Sequence, residues 1–302
     1  MADRLSALTD AVTVGGYRLG SLVARFTPGV VAQNAATLFS PGIALSLRSK
    51  RAVVERNLRR VDPSLRGAAL RRASQRAFDS YMRYYAESFR LPSMSSRHVE
   101  RCFTVDGYHH VEAALAQGNG VIFAIPHLGG WEWAGRWMAE RGLNMTVIVE
   151  PLQPPELFEW FAKLRSDLGM NVVPLGPDAA GIILSTLKRN GIVCLLSDRD
   201  IQRNGVEVEF FGEKTTLPAG PATLAIRSKA PVLPVAIYFT SAIDGHHAVV
   251  RPPLRFEKGD GGLRQSVADA TQVIARELEV LIRRAPEQWH MFQPNWPSDP
   301  DW

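Results

Sequence analysis

The stretch AIPHLGGWEWAG, residues 124–135, closes an apolar run at Pro126, presents a histidine and sets an acid five positions later. His127 and Glu132 are its two groups able to carry a proton or steady a charge. On one continuous helix, positions i and i+5 lie about 140° apart, so these side chains would not meet. They can meet if His127 sits in a turn before a helix and Glu132 in its first turn, a bend that Gly129 and Gly130 permit. A carboxylate bonded to one imidazole nitrogen fixes the tautomer and stabilises the imidazolium. The other nitrogen then accepts a proton from an attacking hydroxyl. No serine or cysteine follows as nucleophile, so the pattern favours attack by a substrate alcohol over a covalent enzyme intermediate. Main-chain N–H groups at the helix start are expected to offer room for an oxyanion.

A second stretch, SDRDIQRNGVEVEFFGEKTTLPAGP (197–221), gathers Asp198, Arg199 and Asp200. A hairpin is expected to turn at Asn204-Gly205. The segment leads into a helix whose N-terminus is an anion site. Its expected work is to grip a phosphate or close a pocket. The pairs His109-His110 and His246-His247 are poor metal candidates, because adjacent histidines on a strand or loop point apart and no acids recur at ligand spacing.

These groups need a frame. GVIFAIP (120–126), MTVIVE (145–150), NVVPL (171–175), IVCLLSD (192–198) and VLPVAIYFT (232–240) read as strands. Between them WEWAGRWMAERG (131–142), PELFEWFAKLRSDLG (155–169), AAGIILSTLKRNG (179–191) and PATLAIRSKA (221–230) read as helices, three of them stopped by glycine and the last opened by Pro221. The alternation predicts an α/β fold, a mostly parallel or mixed central sheet with helices on both faces. Ligands of such sheets bind beyond the carboxyl ends of strands, where His127, Glu150 and Asp198 all fall. A polar segment from 251 and a helix over 265–284 complete the expected core.

The first hundred residues differ in texture. A helix over 64–90 carries Leu65, Leu70, Phe78, Tyr81, Tyr85 and Phe89 about one turn apart, the pattern of a core face. Residues 1–50 read as short amphipathic helices broken at Pro28 and Pro41. Leu19, Leu22, Val23 and Phe26 mix with Arg18 and Arg25, and a cluster of Arg48, Lys50, Arg51, Arg56, Arg59 and Arg60 follows. Residues 1–101 hold 17 Arg and Lys against 7 Asp and Glu, whereas the whole chain of 302 residues is only +5. Basic and apolar residues together suit an anionic membrane surface. Nucleic acid would need a recognition motif, and none is present, so no nucleic-acid partner is expected. No stretch reaches ~18 apolar residues, so no spanning helix is expected. MADRLSALTD has Asp3 and Asp10 and no apolar core, so no secretory signal is expected. Two cysteines, Cys102 and Cys194, sit far apart in no metal pattern, which fits buried thiols in a reducing compartment. The expected division is an amphipathic, basic, membrane-facing region over 1–100 packed on an α/β core over 101–302, the two forming one continuous domain.

ERNLRRV (55–61), PHLGGWEWAG (126–135), LRSDLG (164–169), SDRDIQRNGVEVEFFGE (197–213), LPAGPATLA (217–225) and WHMFQPNW (289–296) occur in order across most of the chain. In these the sequence resembles the bacterial lipid A-type (lauroyl/myristoyl) acyltransferases of the lysophospholipid acyltransferase superfamily, above all the branch that acylates phosphatidylinositol mannosides. HxxxxD/E alone is a weak signature; DRDxxRxGVEVxFFGE followed by PxGPAxLA is specific. The resemblance implies a peripheral enzyme on the cytoplasmic side of the cell membrane. It implies transfer of a palmitoyl-like chain from acyl-CoA, a co-substrate with no further cofactor, to a mannose hydroxyl of a phosphatidylinositol mannoside. The family histidine falls on His127 and its paired acid on Glu132. Glu150, Arg165, Arg199 and Asp200 fall in motifs expected to meet substrate. One departure stands out: the acid that holds the histidine in the mannolipid enzymes belongs to an ERD triplet, and here the triplet is Asp198-Arg199-Asp200. Aspartate is shorter by about 1.5 Å. Either Asp198 or Glu132 can therefore orient His127. Two other functions stay open: a lipid A or other glycolipid acyltransferase fed by acyl carrier protein, and an inactive membrane-bound lipid carrier, which the change at 198 would favour.

Overall fold

The computed structural model describes residues 2–143, 145–151 and 153–300, with side chains from residue 14 onward. The described elements run α1 (Ala2–Phe26), α2 (Gly29–Ser46), α3 (Arg48–Val61), α4 (Gly67–Arg90), α5 (Ser96–Arg101), β1 (Phe103–Asp106), α6 (Tyr108–Leu115), β2 (Val121–Ile125), α7 (Trp131–Ala139), β3 (Met145–Val149) and α8 (Pro155–Asp167). They continue with β4 (Asn171–Pro174), α9 (Ala179–Lys188), β5 (Ile192–Leu196), β6 (Val206–Phe210), β7 (Glu213–Leu217), α10 (Gly220–Ser228), β8 (Val232–Phe239), β9 (His246–Val250) and α11 (Gly262–Arg284).

Seven strands form one sheet in the order β1-β9-β8-β2-β5-β3-β4. The five from β8 to β4 are parallel, while β9 runs antiparallel to β8 and β1 parallel to β9. The fold is thus α/β with a mixed, mostly parallel sheet. β2 is buried along its whole length because both faces are covered. Its side chains alternate: Ile122 and Ala124 join α9, α10 and α11 in one core, and Val121, Phe123 and Ile125 join α5, α6, α7 and α8 in the other.

Three expectations need correction. The hairpin turns at Phe211 and Gly212, not at Asn204-Gly205; both residues have positive φ, as a tight two-residue turn between β6 and β7 requires. β1 and β9 lay outside the expected strands: β1 is a four-residue edge strand ending in Asp106, and β9 opens with two histidines. Pro41 does not break the chain but lies inside α2. Losing that helix bond costs about 3 kcal/mol, which the packing of α2 on α4 offsets. That packing uses small residues: Ala32, Ala36, Ser40 and Ala44 recur every four positions, one face of the helix, and are buried. Ser40 accepts a hydrogen bond from Gln75 at 2.6 Å and donates to Asp79. The large apolar residues of α2, among them Val31, Leu38, Phe39 and Leu45, face outward.

Among the described residues no single helix is long and apolar enough to cross a membrane; α2 and α3 reach that length only together, bent by 102°.

Candidate active site

Strand register explains how residues 71 positions apart come together. β2 and β5 are neighbours, with Ile125 opposite Leu196. The pairing continues one step further, where the Ser197 N–H donates to the Ile125 carbonyl at 2.9 Å. The next residues of each chain, His127 and Asp198, therefore leave the sheet side by side. Asp198 Oδ1 lies 2.6 Å from His127 Nδ1, and Oδ2 accepts the His127 main-chain N–H at 2.9 Å. A third donor, the Trp289 indole N–H, reaches Oδ2 at 2.7 Å.

Asp198 is fully buried. Burial alone would raise its pKa, but the charge of His127, the bonds from its ring and from Trp289, and the His127 main-chain N–H together hold the carboxyl below the usual carboxylate range. An ionised carboxylate only accepts, so Nδ1 carries the hydrogen and the neutral ring keeps its lone pair on Nε2. That ring is partly open and lines a cavity of about 650 Å³.

The turn after His127 is tightly built. Gly129 has φ +60°, and a Cβ there would collide with the Ile237 carbonyl of β8. The Leu128 N–H goes to the Pro126 carbonyl and the Gly129 N–H to the Gln288 carbonyl. These two amides are therefore spent inside the protein and are not open to an oxyanion.

Glu132 is in the first turn of α7, yet no hydrogen bond joins it to His127. Its Oε1 accepts the Tyr84 hydroxyl at 2.5 Å and Arg165 Nη2 at 3.1 Å. Burial pushes this carboxyl above the usual range, against the opposing pull of Arg165 and Tyr84. The acid that touches the histidine is Asp198, and the shorter side chain reaches it. The reason is geometric: α7 carries Glu132 away toward α4 and α8, while the β2–β5 register delivers Asp198.

Arg165 comes from the last turn of α8 and lies over the Trp131 ring, 4.6 Å from its centroid. Arg199 Nη2 donates to Glu150 Oε2 at 2.7 Å, across the adjacent ends of β5 and β3. Asp200 Oδ2 accepts the Gly205 N–H at 2.7 Å and shapes the loop before β6. Of the seven residues expected at the site, His127, Glu150, Arg165, Arg199 and Asp200 line the cavity. Glu132 and Asp198 stand behind its wall, one backing Arg165 and the other backing His127.

Aliphatic residues such as Ile148, Ile183, Leu195 and Leu224 form another wall, and the start of α10, Pro218 to Pro221, borders it. Tyr81, Tyr84 and Tyr85 of α4 also line it, so the aromatic stripe read as core divides: Phe78 and Phe89 are core, the tyrosines face the cavity. A second, smaller apolar crevice of about 40 Å³ lies on the α6–α7 side of the sheet and has Trp131 in common with the first. Trp137 lines it, whereas Trp133 is core and stacks on His246 at 4.3 Å.

The segment after α11 supplies groups that spacing alone did not reveal. His290 lines the cavity, donates its main-chain N–H to the His127 carbonyl at 2.7 Å, and pairs its Nε2 with Ser80 Oγ at 2.9 Å. Burial and the nearby His127 charge, opposed by Asp198, push its imidazole down to about 3, so the ring is neutral near pH 7. Asn295 Nδ2 donates to the Asp198 carbonyl at 3.0 Å. Asp299 anchors the segment on α3 through Arg56 at 3.2 Å and Arg60 at 2.8 Å. Two of the arginines expected on a membrane face are thus turned inward.

Residues 12–298 match the family described as bacterial lipid A biosynthesis acyltransferase. The chain is 36% identical to a phosphatidylinositol mannoside acyltransferase of Mycobacterium tuberculosis (strain CDC 1551 / Oshkosh) over 306 residues, 98% of this chain and 92% of the relative. It is 36% identical to the protein of that name from Mycolicibacterium smegmatis over 299 residues, 97% and 94% of the two chains. A lipid A biosynthesis acyltransferase of Haemophilus influenzae is 25% identical over 199 residues, 65% and 59% of the two. The match spans the histidine turn, the Asp198 stretch and the C-terminal segment alike, and the chain belongs to the bacterial lipid A biosynthesis acyltransferase family.

Proposed function

We propose that this protein moves a palmitoyl-like chain from acyl-CoA to a mannose hydroxyl of a phosphatidylinositol mannoside, working from the cytoplasmic surface of the cell membrane. The observation that carries the reading is the 2.6 Å pair of His127 Nδ1 and Asp198 Oδ1, with His127 itself lining a large cavity. The names and near-complete coverage of the mycobacterial relatives support the mannolipid acceptor.

In this mechanism His127 Nε2 takes the proton of the sugar hydroxyl as its oxygen attacks the thioester carbonyl. Asp198 stabilises the imidazolium that forms. The tetrahedral intermediate then collapses: the C–S bond breaks, the ester carbonyl reforms, and the coenzyme A thiolate takes the proton back from His127. Nothing beyond acyl-CoA is needed as co-substrate.

Arg165 and Arg199 are the proposed substrate contacts. Each keeps a buried Nε without a partner beside the cavity, a donor suited to an anionic or carbonyl oxygen of a substrate. Glu150 holds Arg199, and Asp200 holds the loop that follows. The outward apolar residues of α1 and α2, with Arg18, Arg25 and Arg48 exposed near them in sequence, favour an anionic membrane surface as partner.

The test is transfer by the purified protein to phosphatidylinositol mannoside in vesicles, with palmitoyl-CoA or palmitoyl-acyl carrier protein as donor. Transfer from palmitoyl-CoA to the mannolipid is expected. Use of the carrier protein alone would overturn the donor, and acylation of lipid A precursors alone would overturn the acceptor. Absence of both transfer and thioester cleavage would leave a lipid-binding protein.

A further inference from the structure

We propose that Trp289 is a positioning residue of the acyl-transfer reaction: its indole N–H fixes the Asp198 carboxylate that orients His127. This rests on the reading of His127 as the base.

Asp198 is sealed from water, so protein donors must satisfy its charge. Oδ1 has the His127 ring; Oδ2 has the His127 main-chain N–H at 2.9 Å and the Trp289 indole N–H at 2.7 Å. The ring bond changes as His127 gains and loses its proton. The main-chain bond moves with the turn that carries the histidine. Trp289 is the one side-chain donor to this carboxylate, among the described residues, that belongs to neither. It does not titrate, so it can hold the anion without competing for the proton.

Its own position is fixed. Trp289 is buried and meets Trp296 and Phe210 edge-on, with ring centroids 6.3 Å and 6.2 Å apart. The main chain beside it bridges Leu128, the residue after the histidine. A buried indole needs an acceptor, and its geometry is rigid across two torsions. An acceptor elsewhere in the core would have served packing alone. The acceptor here is the carboxylate already bonded to His127.

The experiment is a double-mutant cycle of Trp289→Phe and Asp198→Asn, assayed with palmitoyl-CoA and phosphatidylinositol mannoside vesicles. Trp289→Phe should lower kcat about tenfold to a hundredfold, the worth of one hydrogen bond to a buried charge, with KM for palmitoyl-CoA unchanged. In the Asp198→Asn background it should cost nothing more, because the group it acts through has already been altered. Equal factors in both backgrounds, or no loss in the single variant, would overturn the proposal. A silent Asp198→Asn would instead overturn the reading of the pair itself.

A second measurement leaves Trp289 in place and covers the case in which Trp289→Phe fails to fold. The indole N–H resonance of Trp289 should move strongly between the wild type and Asp198→Asn, while the other tryptophan resonances stay near their positions. An unmoved Trp289 resonance overturns the assignment.

Discussion

Asp198 holds His127 twice, by its ring nitrogen at 2.6 Å and by its main-chain N–H at 2.9 Å. One carboxylate thus sets both where the turn lies and how the imidazole points. Asn at 198 keeps the size but has one accepting oxygen, so it must give up one of the two bonds or the proper tautomer. Asp198→Asn is expected to lower the rate of mannolipid acylation about 10²–10⁴-fold, as at other histidines deprived of their acid. His127→Ala should retain less than a tenth of wild-type rate. Initial rates with palmitoyl-CoA check both, and a His127→Ala enzyme above that level would remove the histidine from the role of base.

Glu132 should behave differently, although the family motif pairs it with the histidine. Its partners are Arg165 and Tyr84, and it is buried. Removing its charge leaves the Arg165 guanidinium uncompensated. Glu132→Gln is expected to destabilise the fold by about 3–5 kcal/mol in urea titrations, the usual result of breaking a buried pair. In whatever fraction is folded, KM should rise more than kcat falls, because Arg165 and not His127 loses its support. A fall confined to kcat would assign Glu132 to the chemistry instead.

The contrast between the two acids marks what could be read without coordinates. That His127, Glu150 and Asp198 end strands was legible, because apolar runs bounded by glycine-stopped helices announce a parallel sheet. Which strands are neighbours was not legible. β2 and β5 are separated in the chain by three helices and two strands, and local spacing favours an acid five residues away over one 71 away. β1 and β9 were hidden by brevity and by histidines in strand positions. Phe211 in a left-handed turn was hidden for a related reason, since Asn204-Gly205 has the residue types such turns prefer. The WHMFQPNW stretch was recognisable only by resemblance, and its indole shows its purpose once Asp198 lies beside it.

His290 gives a pH signature of folding. In the unfolded chain a histidine titrates near about 6.5, and in the fold this ring is pushed down to about 3. Between those values the unfolded state binds a proton that the native state refuses, so stability falls as pH drops below the unfolded value. The slope should approach 1.4 kcal/mol per pH unit, roughly one proton. Asp198 and Asp299, whose carboxyls are held low, also lose stability in acid, but only below the ordinary carboxylate range of about 4. Glu132, pushed up by burial, and His110, pushed down, also contribute in this window, so the share of His290 is read as the difference between wild type and His290→Gln in urea unfolding at pH 7, 6 and 5. His290→Gln should flatten the dependence across that window; an unchanged slope would mean that this ring protonates in the native state.

The face of α2 is inside out for a helix at a protein surface: alanines and a serine are buried, while Leu38 is 75% and Phe39 66% exposed. Water is a poor medium for two such neighbours, each worth about 1.5–3 kcal/mol when buried. An acyl region beneath lipid headgroups would cover them at a depth that a helix lying in the membrane plane reaches. The double substitution Leu38→Glu, Phe39→Glu should therefore reduce sedimentation with anionic vesicles by at least about tenfold. The melting temperature should be unchanged, because neither side chain packs in the core. Added salt should weaken binding of the wild type as well, since exposed Arg18, Arg25 and Arg48 contribute through screened attraction. Vesicle binding that survives the double substitution at wild-type strength would assign the membrane contact to another face of the molecule.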